Sequence, residues 1–496
     1  MLKGKPHFDK HHRIAVIGAG PAGIHMASLL KKNGYCNVTV LEKSARIGGK
    51  SYTQFVNGVP YELGTCFMHN GYRRIKDLLR SYGLRREITP GSPAIYLEEN
   101  LDSLKSISLS EYLANVLRQN WKDKHPKWHW APKGIIKLEL LKAIWNYCRL
   151  YRKLFGTTKL SYAIPLHMTS QLREQIDMTF LEFLKLNQLE ALIGLLQILQ
   201  TAQGYGRIET IPAYYGLCWM TPEFLSGIVR QIVGFPQVIR MVPDGFETLW
   251  RTIALKDELS VELKTKIHSI KRQIGNKILI DLTNSAGIRK IEAYDFLILT
   301  INLRQALQML ENATEIEKRL FSALKSFTLT CTLYESEPIP GYSNAGFDLA
   351  RAYFPDALAS DRDNEWYADR NDRSVFAKFY NLEQHFDRQV RLAFQFSEQE
   401  LLDQDLEENG FAQDIKARDQ LKASWVKAGL KDPVMISQFS WPYFTHFPGW
   451  AIREGYTNEL FESQGHGQTW YAGASACFES VNHVVNYNHA LMDTYL

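Results

Sequence analysis

The chain has 496 residues, more than one ordinary domain, and its 45% hydrophobic and 22% charged residues are typical of a globular protein with a large core. A net charge of +5 over this length is too small to indicate nucleic-acid binding. No apolar run is long enough to cross a bilayer, and no secretory signal precedes the first predicted strand, which starts at Arg13. We therefore expect a cytoplasmic protein, with peripheral membrane contact as an alternative.

The cysteines and histidines do not indicate a metal site or a disulfide framework. The six cysteines lie far apart in the sequence and form no Cys-x-x-Cys motif, which fits a reducing compartment. His125 and His129 are four residues apart, but Pro126 between them disfavours a helical pair of ligands. We interpret this segment as a surface loop and expect no metal.

The first predicted elements form a dinucleotide-binding unit. An apolar strand at Ile14–Ile17 runs into a Gly-x-Gly-x-x-Gly turn, in which Gly18 permits the tight turn, Gly20 lets a pyrophosphate approach the backbone and Gly23 lets the helix pack closely on the strand. The start of that helix offers unpaired N–H groups to an anion. Glu42 ends the second strand 19 residues after Gly23, where an acid binds the ribose hydroxyls in such units.

Helical periodicity dominates from about residue 108 to residue 234 and predicts a helical cap. Within it, residues 134–155 place apolar side chains such as Leu140 and Ile144 against basic ones such as Lys142 and Arg149. A basic amphipathic helix can lie on a membrane. A domain helix with a solvated basic face is the interpretation we favour.

A second α/β pattern begins near residue 242 and resumes near the C-terminus. The strands are predicted at Val261–Leu263, Ile267–Ile270, Ile278–Ile280, Asp295–Ile301 and Thr469–Ala474, and the helices at Pro243–Leu255 and Asn482–Tyr495. We therefore predict an α/β fold with a discontinuous Rossmann-type domain (residues 11–90, 240–305 and 465–496). An α+β substrate domain with a mixed sheet and the helical cap would comprise residues 91–239 and 306–464. The interruption of the Rossmann-type unit by insertions favours a flavoprotein, in which such insertions cover the isoalloxazine ring, over an NAD dehydrogenase.

The sequence also resembles a known family. Glu42 followed by Arg46-Ile47-Gly48-Gly49-Lys50 is similar to the glycine-pair loop of the amine-oxidase and phytoene-desaturase superfamily of FAD enzymes. Tyr471-Ala472-Gly473 and the helix after it match the same superfamily. The resemblance implies FAD as cofactor, N–H groups near residues 483–485 facing the flavin pyrimidine, and the Ile267 backbone at the adenine.

Within the superfamily the chain is most similar to polyunsaturated fatty acid double-bond isomerases, with cyclopiazonate-type dehydrogenases as cousins. The narrower motifs are Leu84–Glu87, Gly204–Gly206 and Trp441–His446. The resemblance implies that Arg86 anchors the substrate carboxylate and that an aromatic gate lies at Phe235.

The aromatic residues Trp441, Tyr443 and Phe444, expected just after a strand at Met435–Ser440, would line an apolar substrate chamber, although ordinary core packing is the alternative. The resemblance also places Thr330 where many amine oxidases keep a lysine beside flavin N5, which counts against amine oxidation. The predicted cofactor-binding residues are Gly18, Gly20, Pro21, Ala22, Gly23, Glu42, Lys43, Arg46, Gly48, Gly49, Lys50, Gly64, Thr65, Ile267, Gly473, His483, Val484 and Val485.

Hydride chemistry at flavin N5 needs no protein nucleophile, and the sequence offers no such motif, so no catalytic side chain is predicted. The leading hypothesis is double-bond isomerisation of an unsaturated fatty acid, a hydrophobic substrate that carries a carboxylate. The alternative is a flavin dehydrogenase or oxidase of a hydrophobic amine or alkaloid-like substrate. A third hypothesis is a non-catalytic flavoprotein that docks on a membrane through residues 137–153.

Overall fold

The structure is a computed structural model. It describes residues 9–85, 87, 94–100, 103–108, 117–118, 121, 133–156, 167–232, 239–272, 277–337, 349–351, 374–378, 388–398, 400, 415–427 and 431–496.

Strands and helices alternate in the first part of the described chain, and antiparallel strands dominate later. The strands are β1 (Arg13–Ile17), β2 (Asn37–Leu41), β3 (Thr53–Val56), β4 (Val59–Glu62), β5 (Ala94–Asn100), β6 (Ser103–Ser108), β7 (Ser260–Glu262), β8 (Lys266–Arg272), β9 (Ile278–Thr283), β10 (Arg289–Tyr294), β11 (Phe296–Leu299), β12 (Lys325–Ser336), β13 (Leu349–Arg351), β14 (Ser374–Lys378), β15 (Gln389–Ser397), β16 (Val434–His446) and β17 (Thr469–Tyr471). The helices are α1 (Pro21–Lys32), α2 (Arg73–Ser81), α3 (Lys133–Phe155), α4 (Ser170–Gln175), α5 (Phe180–Leu186), α6 (Ile193–Ala202), α7 (Ala213–Trp219), α8 (Pro222–Ile232), α9 (Phe246–Lys256), α10 (Leu303–Met309), α11 (Glu315–Ser322), α12 (Ile415–Lys427), α13 (Gly449–Arg453), α14 (Tyr456–Glu462) and α15 (Val481–Thr494).

A five-stranded parallel sheet joins three distant parts of the chain in the order β17-β11-β1-β2-β7. Parallel sheets are covered on both faces, and all four residues of β11 are accordingly buried. The α15 helix is tied to α1 where the Asn488 side-chain amide donates to the Ala22 carbonyl at 2.9 Å. Each strand and helix predicted for this unit forms, although β11 and β17 are shorter than predicted. The interrupted Rossmann-type architecture is therefore confirmed.

A seven-stranded mixed sheet has the order β16-β12-β15-β14-β13-β5-β6, in which β13 and β5 are parallel and the other pairs antiparallel. Its long β12–β16 pair places Trp441 opposite Leu329 and Tyr443 opposite Phe327. The prediction that these aromatics follow the strand is wrong, because pairing with β12 extends β16 to His446.

Helices α3 to α8 form the described part of the predicted cap, so the helical character of this region is confirmed. Tyr147 on α3 is buried and donates to the Met220 carbonyl at 2.7 Å, which joins α3 to the end of α7. The predicted domain boundaries remain a prediction. Within the part of the chain that the structure describes, no helix combines the length and hydropathy that a membrane span requires.

Candidate active site

A cavity of about 730 Å³ lies where the carboxyl ends of β1, β2, β11 and β17 meet the mixed sheet. Its volume is within the range of about 300–1,000 Å³ that is usual for cofactor and ligand pockets. We call one set of lining residues the glycine-lined part, namely Gly18, Gly20, Glu42, Lys43, Gly49, Ile267, Gly473 and the start of α15. The aromatic part comprises Phe67, Tyr205, Leu329, Phe394, Trp441 and Tyr443.

Two glycine loops pack backbone against backbone in the glycine-lined part. The Gly48 N–H donates to the Ala19 carbonyl at 2.9 Å, and a Cβ on Gly49 would lie 2.9 Å from the Gly20 Cα. Gly18 has a φ of +103°, and a Cβ there would lie 2.9 Å from side-chain atoms of Thr300 and Ile301. Side chains at these positions would fill the space between the loops. The cradle therefore has the shape that a pyrophosphate, lying directly on the backbone, requires.

Glu42 is held with a defined orientation at the edge of this cradle. Its Oε2 accepts a hydrogen bond from the Ala19 N–H at 2.7 Å, and its Oε1 accepts one from the Ser44 N–H at 2.8 Å. A carboxylate has further lone pairs to accept hydrogen bonds from ribose hydroxyls. The geometry thus fits the ribose-binding role that the sequence predicts for Glu42.

The N-terminus of α15 also faces the cavity, which Ser480, Val481 and Val484 line. Ser480 caps the helix, because its hydroxyl accepts a hydrogen bond from the His483 N–H at 3.3 Å and pairs with the His483 Nδ1 at 2.8 Å. Burial lowers the pKa of His483 to about 4, so its ring is neutral at pH 7. The positive end of the helix dipole is therefore the favourable electrostatic feature here for an anionic flavin ring.

Most predicted cofactor-binding residues line the cavity, and five do not. Those that line it are Gly18, Gly20, Pro21, Ala22, Glu42, Lys43, Gly49, Lys50, Gly64, Thr65, Ile267, Gly473 and Val484. Gly23, Arg46, Gly48, His483 and Val485 are not among the lining residues. The cofactor-binding role of all eighteen residues remains a prediction. Gly23 is required by packing, since a Cβ there would lie 1.9 Å from the Gly18 carbonyl oxygen.

A buried polar network supports the second glycine loop. The Arg46 Nη1 lies 3.4 Å from the Glu247 Oε2, which also accepts a hydrogen bond from the Thr53 N–H at 3.1 Å. The Thr53 hydroxyl donates to Glu62 at 2.8 Å, and the Phe246 N–H donates to the same carboxyl at 2.6 Å. Burial raises the pKa of Glu62 to about 8. Sequence reasoning missed both acids, because neither occurs in a motif.

The aromatic part brings together rings from distant segments. Tyr205 stacks on Tyr443 with ring centroids 6.1 Å apart and planes 6° from parallel. Burial raises the pKa of both phenols, so both remain protonated and uncharged. The Trp441 indole N–H donates to the Leu63 carbonyl at 2.7 Å, which fixes that ring against the loop before Gly64. Of the three aromatics predicted to line a substrate chamber, Trp441 and Tyr443 line the cavity. Phe444 is fully buried and is not among the lining residues, so for this residue the alternative of core packing applies.

An ion pair that sequence reasoning missed stands beside these rings. The Lys50 ammonium lies 2.8 Å and 2.9 Å from the two carboxylate oxygens of Glu479, which is almost fully buried. One of those oxygens also accepts a hydrogen bond from the Phe444 N–H at 2.9 Å, and Phe444 has a φ of +50°. Lys50 lies 5.3 Å from the centre of the Tyr443 ring. Glu479 thus holds both a cation and the strained backbone of β16 at Phe444, beside the aromatic part.

The expectation that Thr330 faces the flavin side is wrong by one residue. Side chains alternate along a strand, and on β12 it is Leu329 that lines the cavity. The Thr330 hydroxyl is buried away from the cavity and pairs with the Ser440 hydroxyl at 2.8 Å. Since Leu329 is the lining residue, β12 presents an apolar side chain and no amine to the cavity.

The other two predicted substrate-binding residues, Arg86 and Phe235, lie outside the described residues, as do His125 and His129. Their predicted roles therefore remain predictions. Of the neighbours of Arg86, the exposed Arg85 pairs with Asp244, and Glu87 pairs with Lys76 at 3.2 Å.

Comparison with known proteins places the chain in a family. The model of the flavin containing amine oxidoreductases matches residues 21–330, more than half of the chain. The polyenoic fatty acid isomerase of Ptilota filicina is 23% identical over 516 residues, which cover 96% of this chain and 93% of that protein.

Two solved structures show the same fold. The CLA-producing fatty acid isomerase from P. acnes has a TM-score of 0.75 at 18% identity and covers 99% of this chain and 100% of its own. A triple mutant of putrescine oxidase has a TM-score of 0.61 at 15% identity, and the match covers 97% of this chain and 96% of that one. With the match to the family model and a cradle shaped for a dinucleotide, the chain belongs to the flavin containing amine oxidoreductases and is an FAD-dependent enzyme.

Proposed function

We propose that this enzyme isomerises a carbon–carbon double bond of an unsaturated fatty acid. The observation that carries the proposal is the character of the aromatic part, where Leu329, Phe394 and Trp441 offer an apolar surface to a hydrocarbon chain. Glu479, the carboxylate beside these rings, is occupied by Lys50 and the Phe444 N–H. A substrate ammonium therefore finds no free carboxylate among the described residues of the aromatic part.

The similarity to a polyenoic fatty acid isomerase along nearly the whole of both chains supports the same proposal. A similarity confined to the nucleotide-binding segment would support only the cofactor. The apolar residue on β12 supports it further, because Leu329 lines the cavity where we expected Thr330 and where the resemblance implies a lysine in many amine oxidases.

When bound, FAD supplies a hydride acceptor and donor at N5, so that a hydrogen taken from one carbon can return to another with no net oxidation. The residues of the aromatic part exclude water and hold the hydrocarbon chain. Tyr205 and Tyr443 remain protonated, uncharged phenols, because burial raises the pKa of each. We further propose that Arg86 binds the substrate carboxylate in a bidentate fashion and that Phe235 gates the chamber.

The test is to incubate the purified holoenzyme with linoleate and related fatty acids and to follow conjugated-diene absorbance and peroxide together. We expect conjugated diene without oxygen consumption or peroxide, because the reaction is redox-neutral. Flavin bleaching by an amine under anaerobic conditions, followed by peroxide on adding air, would instead establish the oxidase alternative. Absence of diene across the whole fatty-acid panel would refute the proposal.

A further inference from the structure

One face of helix α3 exposes large apolar side chains to solvent. Leu138 is 65% exposed, Leu141 37% and Trp145 63%, and their spacing of three and four residues places them on the same side of the helix. The opposite side carries the buried Leu140, Ile144, Tyr147, Tyr151 and Phe155, which pack into the core that also contains Trp441 and Tyr443. The exposed face is therefore presented by a helix that is firmly anchored in the domain.

The fully exposed charged residues described on α3 are all basic, and its single acid, Glu139, is half-buried. Apart from Gly134 and the three apolar residues, the exposed side chains described on α3 are Lys137, Lys142, Arg149, Arg152 and Lys153. Among the residues that the structure describes, none of these five cations forms an ion pair. The Arg149 guanidinium instead lies 5.2 Å from the centre of the Trp145 ring. With Glu139 as the only acid on α3, the described part of the helix keeps a clear excess of positive charge.

We propose that this face of α3 binds the surface of a membrane that contains anionic lipids. The basic side chains complement the headgroup phosphates, while Leu138, Leu141 and Trp145 reach the boundary between headgroups and acyl chains. The helix has 23 residues and is about 35 Å long, so it can lie flat along the surface over most of its length. A nucleic-acid surface would match the charge but would leave the two leucines without an apolar environment.

The experiment is flotation of the holoenzyme with vesicles of equal parts phosphatidylglycerol and phosphatidylcholine, and with pure phosphatidylcholine. We expect flotation with the anionic vesicles, weakened at high salt, and little with the neutral ones. The double variant Leu138→Glu/Trp145→Glu and the double variant Lys142→Glu/Arg149→Glu should each lower the vesicle-bound fraction. Because one basic residue contributes about a fivefold gain in partitioning, the charge-reversed variant should bind at least about tenfold more weakly.

Matched controls distinguish binding by this face from nonspecific hydrophobic adsorption and from an effect of net charge alone. Leu255→Glu/Trp450→Glu changes residues that are 79% and 45% exposed elsewhere on the surface, and Lys31→Glu/Lys318→Glu gives the same change in net charge as the α3 charge reversal. Both controls should float like the wild type, and bound flavin and melting temperature should be retained in all variants. Equal loss in the controls, equal flotation with neutral vesicles, or no flotation of the wild type would each overturn the proposal. So would selective binding of α3 to nucleic acid or to a protein without vesicle binding.

Discussion

The glycine-lined and aromatic parts of the cavity are built in different ways. The first is built mostly from residues of short continuous motifs, such as Gly18 with Gly20 and Glu42 with Lys43. The second consists of large side chains from β12, β15 and β16 together with Phe67 and Tyr205, which are far apart in the sequence. A dinucleotide requires close approach of the backbone, which local sequence supplies, whereas an apolar chamber requires packing between distant segments. The two parts should therefore respond differently to substitution.

The largest effect is expected in the glycine-lined part, for Gly23→Ala. The new Cβ would lie 1.9 Å from the Gly18 carbonyl oxygen, so the turn must move away from the pyrophosphate position. Overpacking of this kind costs about 1–3 kcal/mol, which corresponds to a loss of about 5–160-fold if it falls on FAD affinity. Flavin absorbance of the purified protein measures it. Gly134→Ala, another helical glycine but with open space around it, should keep its flavin.

Arg86→Gln tests whether Arg86 binds the substrate carboxylate without affecting the cofactor. Loss of a charge-assisted bidentate contact of about 1.5–3 kcal/mol should raise KM for a fatty acid by about 10–100-fold, with flavin content unchanged. The KM for the methyl ester should change much less, because the ester lacks the carboxylate. Arg85→Gln is the control, since Arg85 is exposed and paired with Asp244. Equal effects on acid and ester would rule out Arg86 as the anchor.

Tyr443→Leu asks whether the stacked rings act on substrate and not on cofactor. The aromatic pair contributes about 0.5–1.5 kcal/mol, so kcat/KM for isomerisation should fall about tenfold or less while flavin content stays constant. Tyr443→Phe keeps both rings and should remain close to the wild type. A loss of flavin in the leucine variant would show that the two parts are not separable.

Glu479→Gln examines the ion pair that lies beside the aromatic part. Leaving the Lys50 ammonium unpaired should lower the free energy of unfolding by about 1–3 kcal/mol, less than for a fully buried pair because Lys50 is partly exposed. The double variant Lys50→Met/Glu479→Gln should regain part of that loss, because no unpaired charge remains. Chemical denaturation of the wild type, Glu479→Gln, Lys50→Met and the double variant measures the coupling energy between Lys50 and Glu479. Simple additivity of the two single changes would contradict it.

The last prediction concerns the pH dependence of stability through Glu62, which is not among the residues that line the cavity. Its pKa in the folded protein is raised from 4.5 to about 8 by burial, so the folded state binds the proton more tightly than the unfolded state. The contribution of Glu62 to stability is therefore full below pH 4.5 and is lost as the pH rises through about 8, at up to about 1.4 kcal/mol per pH unit. Glu62→Gln should flatten this part of the stability–pH curve, measured by denaturation between pH 5 and 8.5. An unchanged slope would contradict the proposed titration.

Much of the fold was predictable because its signals are local. Apolar runs such as Ile14–Ile17 form strands, and the glycines that follow them permit turns that other residues cannot adopt. The length of β16 was not predictable, since its extension to His446 depends on pairing with β12 more than a hundred residues earlier. That Leu329, and not Thr330, lies on the cavity side of β12 was missed for a related reason. A one-residue error along a strand reverses the face on which a side chain lies.

The local sequence alone was enough to predict the class of cofactor and the cradle that holds it, because backbone approach depends on glycines that are neighbours in the chain. Only the tertiary structure could pair Glu479 with Lys50, join Glu62 to Glu247 through Thr53, or stack Tyr205 on Tyr443. Such contacts lie between residues separated by up to several hundred positions, and no periodicity or motif relates them. Packing places them together because burying the aromatic surface of the cap against the mixed sheet is favourable.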